Sequence, residues 1–370
     1  MPSIPERQIP PPPPLPVFVE RVFTLDAFRG FTMVCLIAEG FGLLHLVDHP
    51  VLGRFAEQFE HRQWEGMNAW DLVQPFFMFI VGAVMPASFA ARWAAGETWA
   101  KSLQHVLRRC ALLILLGLLA RSIQAGRPVL DLINVLAQLA FTYLVAFLVL
   151  RQSWKVQLTV ALGLLAAHWA LFQFVTLPGV AGPWARDANI GSVLDHWILG
   201  KNWRGSYVTI NCLSSAANTL FGVLAGSLVL AKTTPSRKVA ILALGGAAGI
   251  AAGLALSPFI PIIKKIWTPS FALYSGGITL LALLLFYWLC DIRNLRAWAR
   301  VFVVVGSNSI FIYLLNEILR EWLNETALVF TRPAVTAWGP WGLFLTDWVV
   351  ILFEIYLCWW LYRRRVFLRI

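Results

Sequence analysis

The sequence predicts an all-α polytopic integral membrane protein of about ten transmembrane helices, with both termini cytoplasmic. Three observations carry this reading. Hydrophobic residues fill 59% of the 370 positions and charged residues only 13%, with a mean hydropathy of +0.69; a soluble domain is about half apolar and a quarter charged. The apolar residues gather into runs of roughly 20, the length that crosses a hydrocarbon core of about 30 Å. Lys and Arg are shared unequally between the two sets of connections.

The runs lie near 24–44, 70–91, 105–124, 130–150, 156–176, 209–231, 239–257, 270–290, 301–319 and 342–362. One set of connections, with the two ends of the chain, carries roughly 18 Lys and Arg and the other roughly 11. Arg92, Lys101, Arg108, Arg109, Arg293, Arg296 and Arg363 to Arg365 are on the richer side. That side is cytoplasmic under the positive-inside rule, which demands an even span count and turns the loop around His61 outward. The net charge of +11 follows mostly from this bias, with anionic lipid as a contributor, and requires no nucleic acid.

Cys35, Cys110, Cys212, Cys290 and Cys358 all fall within runs; they suggest no disulfide framework and no Cys/His zinc spacing, so no metal is expected. Residues 1–20 hold the run Pro10 to Pro14 and no apolar core. They are expected to form a disordered Pro-rich cytosolic tail rather than a signal peptide. Residues 21–365 are expected to form one transmembrane domain, with 366–370 a short cytosolic tail. The outer loop near 177–208 is too short to fold alone. No internal repeat is apparent.

Polar residues inside such runs are costly and mark interior surfaces. In the first run, Asp26 and Arg29 are three apart and share a helix face; an ion pair there anchors the helix end or helps hold an anionic ligand. Glu39 lies ten residues beyond Arg29, about 15 Å along a helix, and needs a partner or a proton at that depth. His61 stands just before the second run, and Asp71 and Gln74 share a face at its start, ahead of Pro75. A titratable imidazole beside a buried carboxylate suits a general base. The plainer alternatives are an interfacial loop histidine and an Asp71 N-cap. Pro75 is expected to open a helical turn. Asn134 and Gln138 share a face of the fourth run and line a site or bond across helices. Asn308 and Ser309 sit at mid-depth and are expected to line a cavity. Lys264, Lys265, Trp267 and Thr268 form an outer loop that reads equally as a lid or an interfacial anchor.

Four of these stretches together resemble the heparan-α-glucosaminide N-acetyltransferase-like family of transmembrane acyltransferases. Leu25-Asp26-Ala27-Phe28-Arg29-Gly30 is similar to its first-helix signature. His61-x-x-Trp64-x-Gly66, running into Asp71-Leu72-Val73-x-Pro75-Phe76, resembles its catalytic segment. Lys264-Lys265-Ile266-Trp267-Thr268-Pro269-Ser270-Phe271 and Gly306-Ser307-Asn308-Ser309-Ile310 resemble two further segments. The first motif is shared with other membrane acyltransferases; the second and third together are specific.

The resemblance implies transfer of an acetyl group, with acetyl-CoA as cytosolic co-substrate, to an extracytoplasmic amino sugar or glycan. In a bacterial cell this places the protein in the inner membrane with an envelope sugar as acceptor. His61 matches the family's catalytic histidine, as base or as acetylated nucleophile; Asp71 then holds the imidazole tautomer or positions the acceptor. Glu39, Trp64, Gln74, Lys265, Trp267, Asn308 and Ser309 are candidates for the acceptor. Asp26, Arg29, Asn134 and Gln138 are candidates for acetyl-CoA. The family often has asparagine where this chain has Glu39, and Gln-Arg where it has Ala137-Gln138. A carboxylate at the first position repels an anionic donor or attracts a cationic acceptor, and the lost arginine removes a phosphate partner. Expected partners are the lipid bilayer and the sugar acceptor, with a homodimer left open. The rivals are a transporter or binding protein, which broken helices and inverted repeats would favour, and an acyltransferase with a non-CoA donor.

Overall fold

Apolar runs become long helices because the backbone must satisfy its own hydrogen bonds wherever lipid surrounds it. The computed structural model describes residues 22–200 and 206–368. The longer helices are α1 (Phe23–Ile37), α2 (Val73–Ala94), α3 (Trp99–Ala125), α4 (Val135–Val149), α5 (Trp154–Phe174), α6 (Ile190–Leu199), α7 (Asn211–Leu230), α8 (Pro235–Leu256), α9 (Pro269–Tyr287), α10 (Arg300–Gly306), α11 (Ser309–Trp338) and α12 (Pro340–Arg363), with a single α-turn at Gly53–Ala56, short 3-10 turns and a π-helical turn, Trp288–Ile292, between them. Among the described residues the strand-like pairing is one isolated antiparallel bridge, Glu65 to Ile263. The tail expected over 1–20 and the last residues, 369–370, lie outside the described residues.

Six of the described helices are long and apolar enough to cross a membrane, or up to eight if each of two bent pairs is one span. The other two apolar runs of the sequence fall on α3 and α4. Helix α3 is long but carries Lys101, Arg108, Arg109 and Arg121, while α4 is apolar and 15 residues long, about 22 Å.

The two bends correct the expectation of unbroken spans. The first run ends as a regular helix at Ile37 and turns by 44° into a 3-10 segment, Glu39–Leu46. Glu39, Gly40, Phe41 and Gly42 have φ of 36°, 77°, 53° and 72°. Four successive residues in the left-handed region, two of them with side chains, constitute local strain that the surroundings must hold. Asn316 Nδ2 donates to the carbonyl of Ile37 at 3.1 Å and Arg320 Nη1 donates to the same oxygen, so α11 caps the broken helix. The second bend, of 75°, lies between α10 and α11. Asn308 sits in that break, where its Nδ2 donates to Val366 O at 3.0 Å and its Oδ1 accepts from Leu368 N at 3.0 Å. Asn308 therefore ties down the chain's C-terminal segment and does not line the cavity described below. Ser309 turns back on Gly306 O at 2.7 Å. Pro75 produces no opened turn: it is the third residue of α2, in the first turn, where helical N–H groups have no partner to lose.

The core forms where α2, α4 and α7 meet, with Met78, Phe89, Tyr143, Phe147, Leu220, Trp267 and Phe271 buried in one cluster. Helices α2 and α7 are in backbone contact. A Cβ on Gly82 would come within 1.9 Å of Thr219 O, and one on Gly222 within 1.9 Å of Phe79 O. This approach brings Gln74, near the start of α2, close to α7.

Candidate active site

The residues 61–72 form a short coil ending in a 3-10 turn, Ala69–Leu72, rather than an extension of α2. Asn68 is its N-cap and Asp71 its third residue, so Asp71 is not the N-cap that its position suggested. Asp71 is fully buried and surrounded by donors. Its Oδ2 accepts from Asn68 N at 3.0 Å and Arg62 N at 3.3 Å. Its Oδ1 lies 2.8 Å from His61 Nδ1 and 3.3 Å from Lys264 Nζ. A carboxylate that meets four donors and no acceptor is an ionised, acceptor-only group.

That environment assigns the imidazole tautomer. Nδ1 carries a proton and donates to Asp71, so that in the neutral ring the lone pair is on Nε2. Half of the His61 side chain is exposed, and it lines a cavity of about 1020 Å³ together with Glu39, Gln74, Asn134, Gln138 and Lys264. An imidazole oriented by a buried carboxylate and facing a cavity can, through an unprotonated Nε2, take a proton or attack an electrophile.

Lys264 arrives from a loop 193 residues further on than Asp71. The Glu65 to Ile263 bridge joins the two loops, and Gly66 N donates to Ile262 O at 2.8 Å. Gly66 has φ of 93°, a conformation that glycine adopts without a steric penalty. Thr268 Oγ1 accepts from Ile263 N at 3.0 Å and donates to Pro261 O at 2.8 Å. The loop is therefore buried and internally bonded, which corrects both readings of it as a lid and as an interfacial anchor. Trp267 is wholly buried and donates to Asn218 Oδ1 at 3.0 Å; it is a core residue. Lys265 is not among the cavity-lining residues; its Nζ lies 5.7 Å from the centre of the Tyr207 ring, which does line the cavity. Burial, then the charge of Arg186, pushes its ammonium below the usual lysine range. Trp64 donates to Trp184 O at 3.0 Å and packs with Ile263 and Ile266, so it secures the loop from behind.

The wall opposite mixes polar side chains from several helices. Gln74 Nε2 donates to Gln138 Oε1, and Gln138 Nε2 to Ser215 Oγ at 2.9 Å. Asn134 caps α4 by accepting from Ala137 N at 2.9 Å and also lines the cavity. Glu39 reaches the cavity from the strained turn, paired with Arg320 Nε at 2.8 Å. Asp26 and Arg29 form their ion pair, at 3.0 Å, near the other end of α1, and neither lines this cavity.

Several lining residues escaped the sequence reading: Arg121, Arg127, Asp131, Tyr207 and Glu317, with Arg320 behind Glu39. Arg121 Nε pairs with Asp131 at 2.9 Å, and Gln124 Nε2 meets Glu317 Oε1 at 3.1 Å. One signal was available. Asn316, Glu317 and Arg320 are spaced to share a helix face, which is unusual inside an apolar run.

No protein-family model matches the chain. Two curated proteins do: heparan-alpha-glucosaminide N-acetyltransferase of Mus musculus, 23% identical over 367 residues, and the protein of the same name from Homo sapiens, 22% identical over 371. Each alignment covers 82% of this chain, and 54% and 53% of the two relatives. The chain thus spans about half the length of the curated relatives it matches.

Proposed function

From a distant family relationship to heparan-α-glucosaminide N-acetyltransferase, we propose that the protein is a membrane acyltransferase that moves an acetyl group from acetyl-CoA to an amino sugar or glycan outside the cytoplasm. The observation that carries the reading is the His61 Nδ1 to Asp71 Oδ1 contact of 2.8 Å at the wall of a cavity of about 1020 Å³. That volume is at the upper end for small-molecule sites and suits a site that two reactants share.

In this reading the acceptor's amine or hydroxyl attacks the thioester carbonyl while His61 Nε2 takes its proton. The carbon–sulfur bond breaks and the proton passes to the departing thiolate. In the two-step form Nε2 itself attacks and expels the thiolate; the acceptor's amine or hydroxyl then attacks the acetyl carbon, the carbon–Nε2 bond breaks, and the acceptor's proton passes to the thiolate. Asp71 holds the ring in the required tautomer in both. Glu39, Gln74, Asn134 and Gln138 are the polar groups available to orient the reactants. The Lys/Arg distribution supports an outward His61, and a bacterial plasma membrane is the proposed location.

The test is transfer by purified protein in liposomes, with labelled acetyl-CoA and glucosamine. His61→Ala is expected to fold and to lose at least about a hundredfold in turnover; near-normal transfer by that variant would refute the catalytic role. The break in the first span supports a second reading, a transporter for a small polar ligand, because broken helices at mid-membrane often form transport sites. Uptake of unmodified ligand that survives His61→Ala would favour it.

A further inference from the structure

Lys264 touches both members of the His61–Asp71 pair. It is buried, 5% exposed, and its Nζ lies 3.3 Å from Asp71 Oδ1 and 3.1 Å from His61 Nδ1. Nδ1–H and the ammonium are both donors, so they cannot bond to each other; they converge on the same carboxylate oxygen. A carboxylate alone beside an imidazole favours the charged ring. Here the carboxylate is already matched by a cation, and a proton added to the ring would put a second positive charge about 3 Å from the first.

We propose that Lys264 is a positioning residue that keeps His61 neutral at rest, so that Nε2 presents a lone pair to the cavity instead of being locked in an ion pair with Asp71. Its use in catalysis rests on the acyltransferase reading; the charge relationship does not. In the transfer step Nε2 holds the acceptor's proton only until the thiolate takes it, and the nearby ammonium hastens that release. In the two-step form a less basic imidazole is the better leaving group. Either way Lys264 acts through His61.

Other charged groups stand on the His61 loop and across the cavity. On its own loop, Glu60, Arg62 and Glu65 are exposed, so solvent screens their charges. Lys265 turns to Tyr207. Across the cavity Arg121 is paired with Asp131 and Glu39 with Arg320, so each pair presents little net charge to the ring. Glu317 accepts a hydrogen bond from Gln124, and Glu317 and Arg127 also line the cavity. The nearest charges to the ring are those of Asp71 and Lys264.

The experiment reads His61 without any reactant. Full-length protein in detergent is treated with diethylpyrocarbonate across a pH series, and modification of the His61 peptide is followed by mass spectrometry. Lys264→Gln keeps an N–H for Asp71 Oδ1 and removes the charge; Lys264→Met fills the same volume and serves as the second variant. Both are expected to react at least about tenfold more slowly than wild type near pH 6, because more of the ring is protonated, and to match it in mildly alkaline solution. Lys264→Arg is expected to follow wild type. In the transfer assay the acid limb of kcat/KM should move to higher pH in the Gln variant, with the acceptor KM little changed. Modification curves that coincide for folded Gln, Met and wild-type proteins would overturn the inference and leave any transfer activity standing. Absence of transfer by wild type would remove the acyltransferase reading and leave the modification result intact.

Discussion

Arg320 on α11 reaches Glu39 in the break of the first span, with Nε 2.8 Å from Oε2, while its Nη1 caps the carbonyl of Ile37. One guanidinium thus satisfies both the end of a broken helix and the carboxylate that the break sends into the cavity. The strained turn is thus also held from the outside, by a neighbour.

Removing that neighbour should release the turn. Arg320→Met is expected to cost about 2 kcal/mol, the scale for losing a hydrogen bond to a charged donor. The estimate stays low because the Glu39 carboxylate is more than half exposed and its ion pair is partly screened. Thermal unfolding in detergent should show a fall of a few degrees. An unchanged midpoint would mean that the turn holds itself.

Glu39→Gln keeps the shape of the side chain and removes its charge. The substitution should alter the preference between cationic and neutral acceptors by several-fold and leave stability nearly unchanged, since Arg320 retains Ile37 O. Competition between glucosamine and a neutral sugar in the transfer assay reads this directly. Equal preference in both proteins would exclude Glu39 as a selector.

Asp71→Asn should be more damaging than its small change in size suggests. The amide must turn an N–H either toward Arg62 N and Asn68 N or toward His61 and Lys264. In the second case Nδ1 becomes an acceptor and Nε2 carries the proton, the wrong tautomer for a base or nucleophile. Turnover is expected to fall at least about a hundredfold, measured beside the variant's unfolding temperature to separate chemistry from stability.

Orientation is testable without activity. The native cysteines of the described chain are buried or half-buried, so background labelling should be low. A cysteine at Arg54 should react with an impermeant reagent added outside intact cells, and one at Arg365 should not. The reverse pattern would turn the His61 loop inward and with it the proposed side of acceptor entry.

The sequence by itself determined the class of the protein and the heart of the site. Hydropathy is a local, additive property, so helices long enough to span lipid could be read along the chain. The ten-residue separation of His61 from Asp71 is local too, and a buried carboxylate at the start of an apolar run is visible without coordinates. Tertiary structure decided what those residues meet. Lys264 and Arg320 lie far along the chain from their carboxylates, and no periodicity specifies which loop packs on which. Asn308, Trp267 and Trp64 show the converse. Each is polar or amphipathic, but each spends its hydrogen-bonding capacity on backbone or a buried amide, and only packing reveals that the partner is structural. The break after Ile37 is of the same kind. Its glycines permit the turn, while the donors that make it tolerable come from α11.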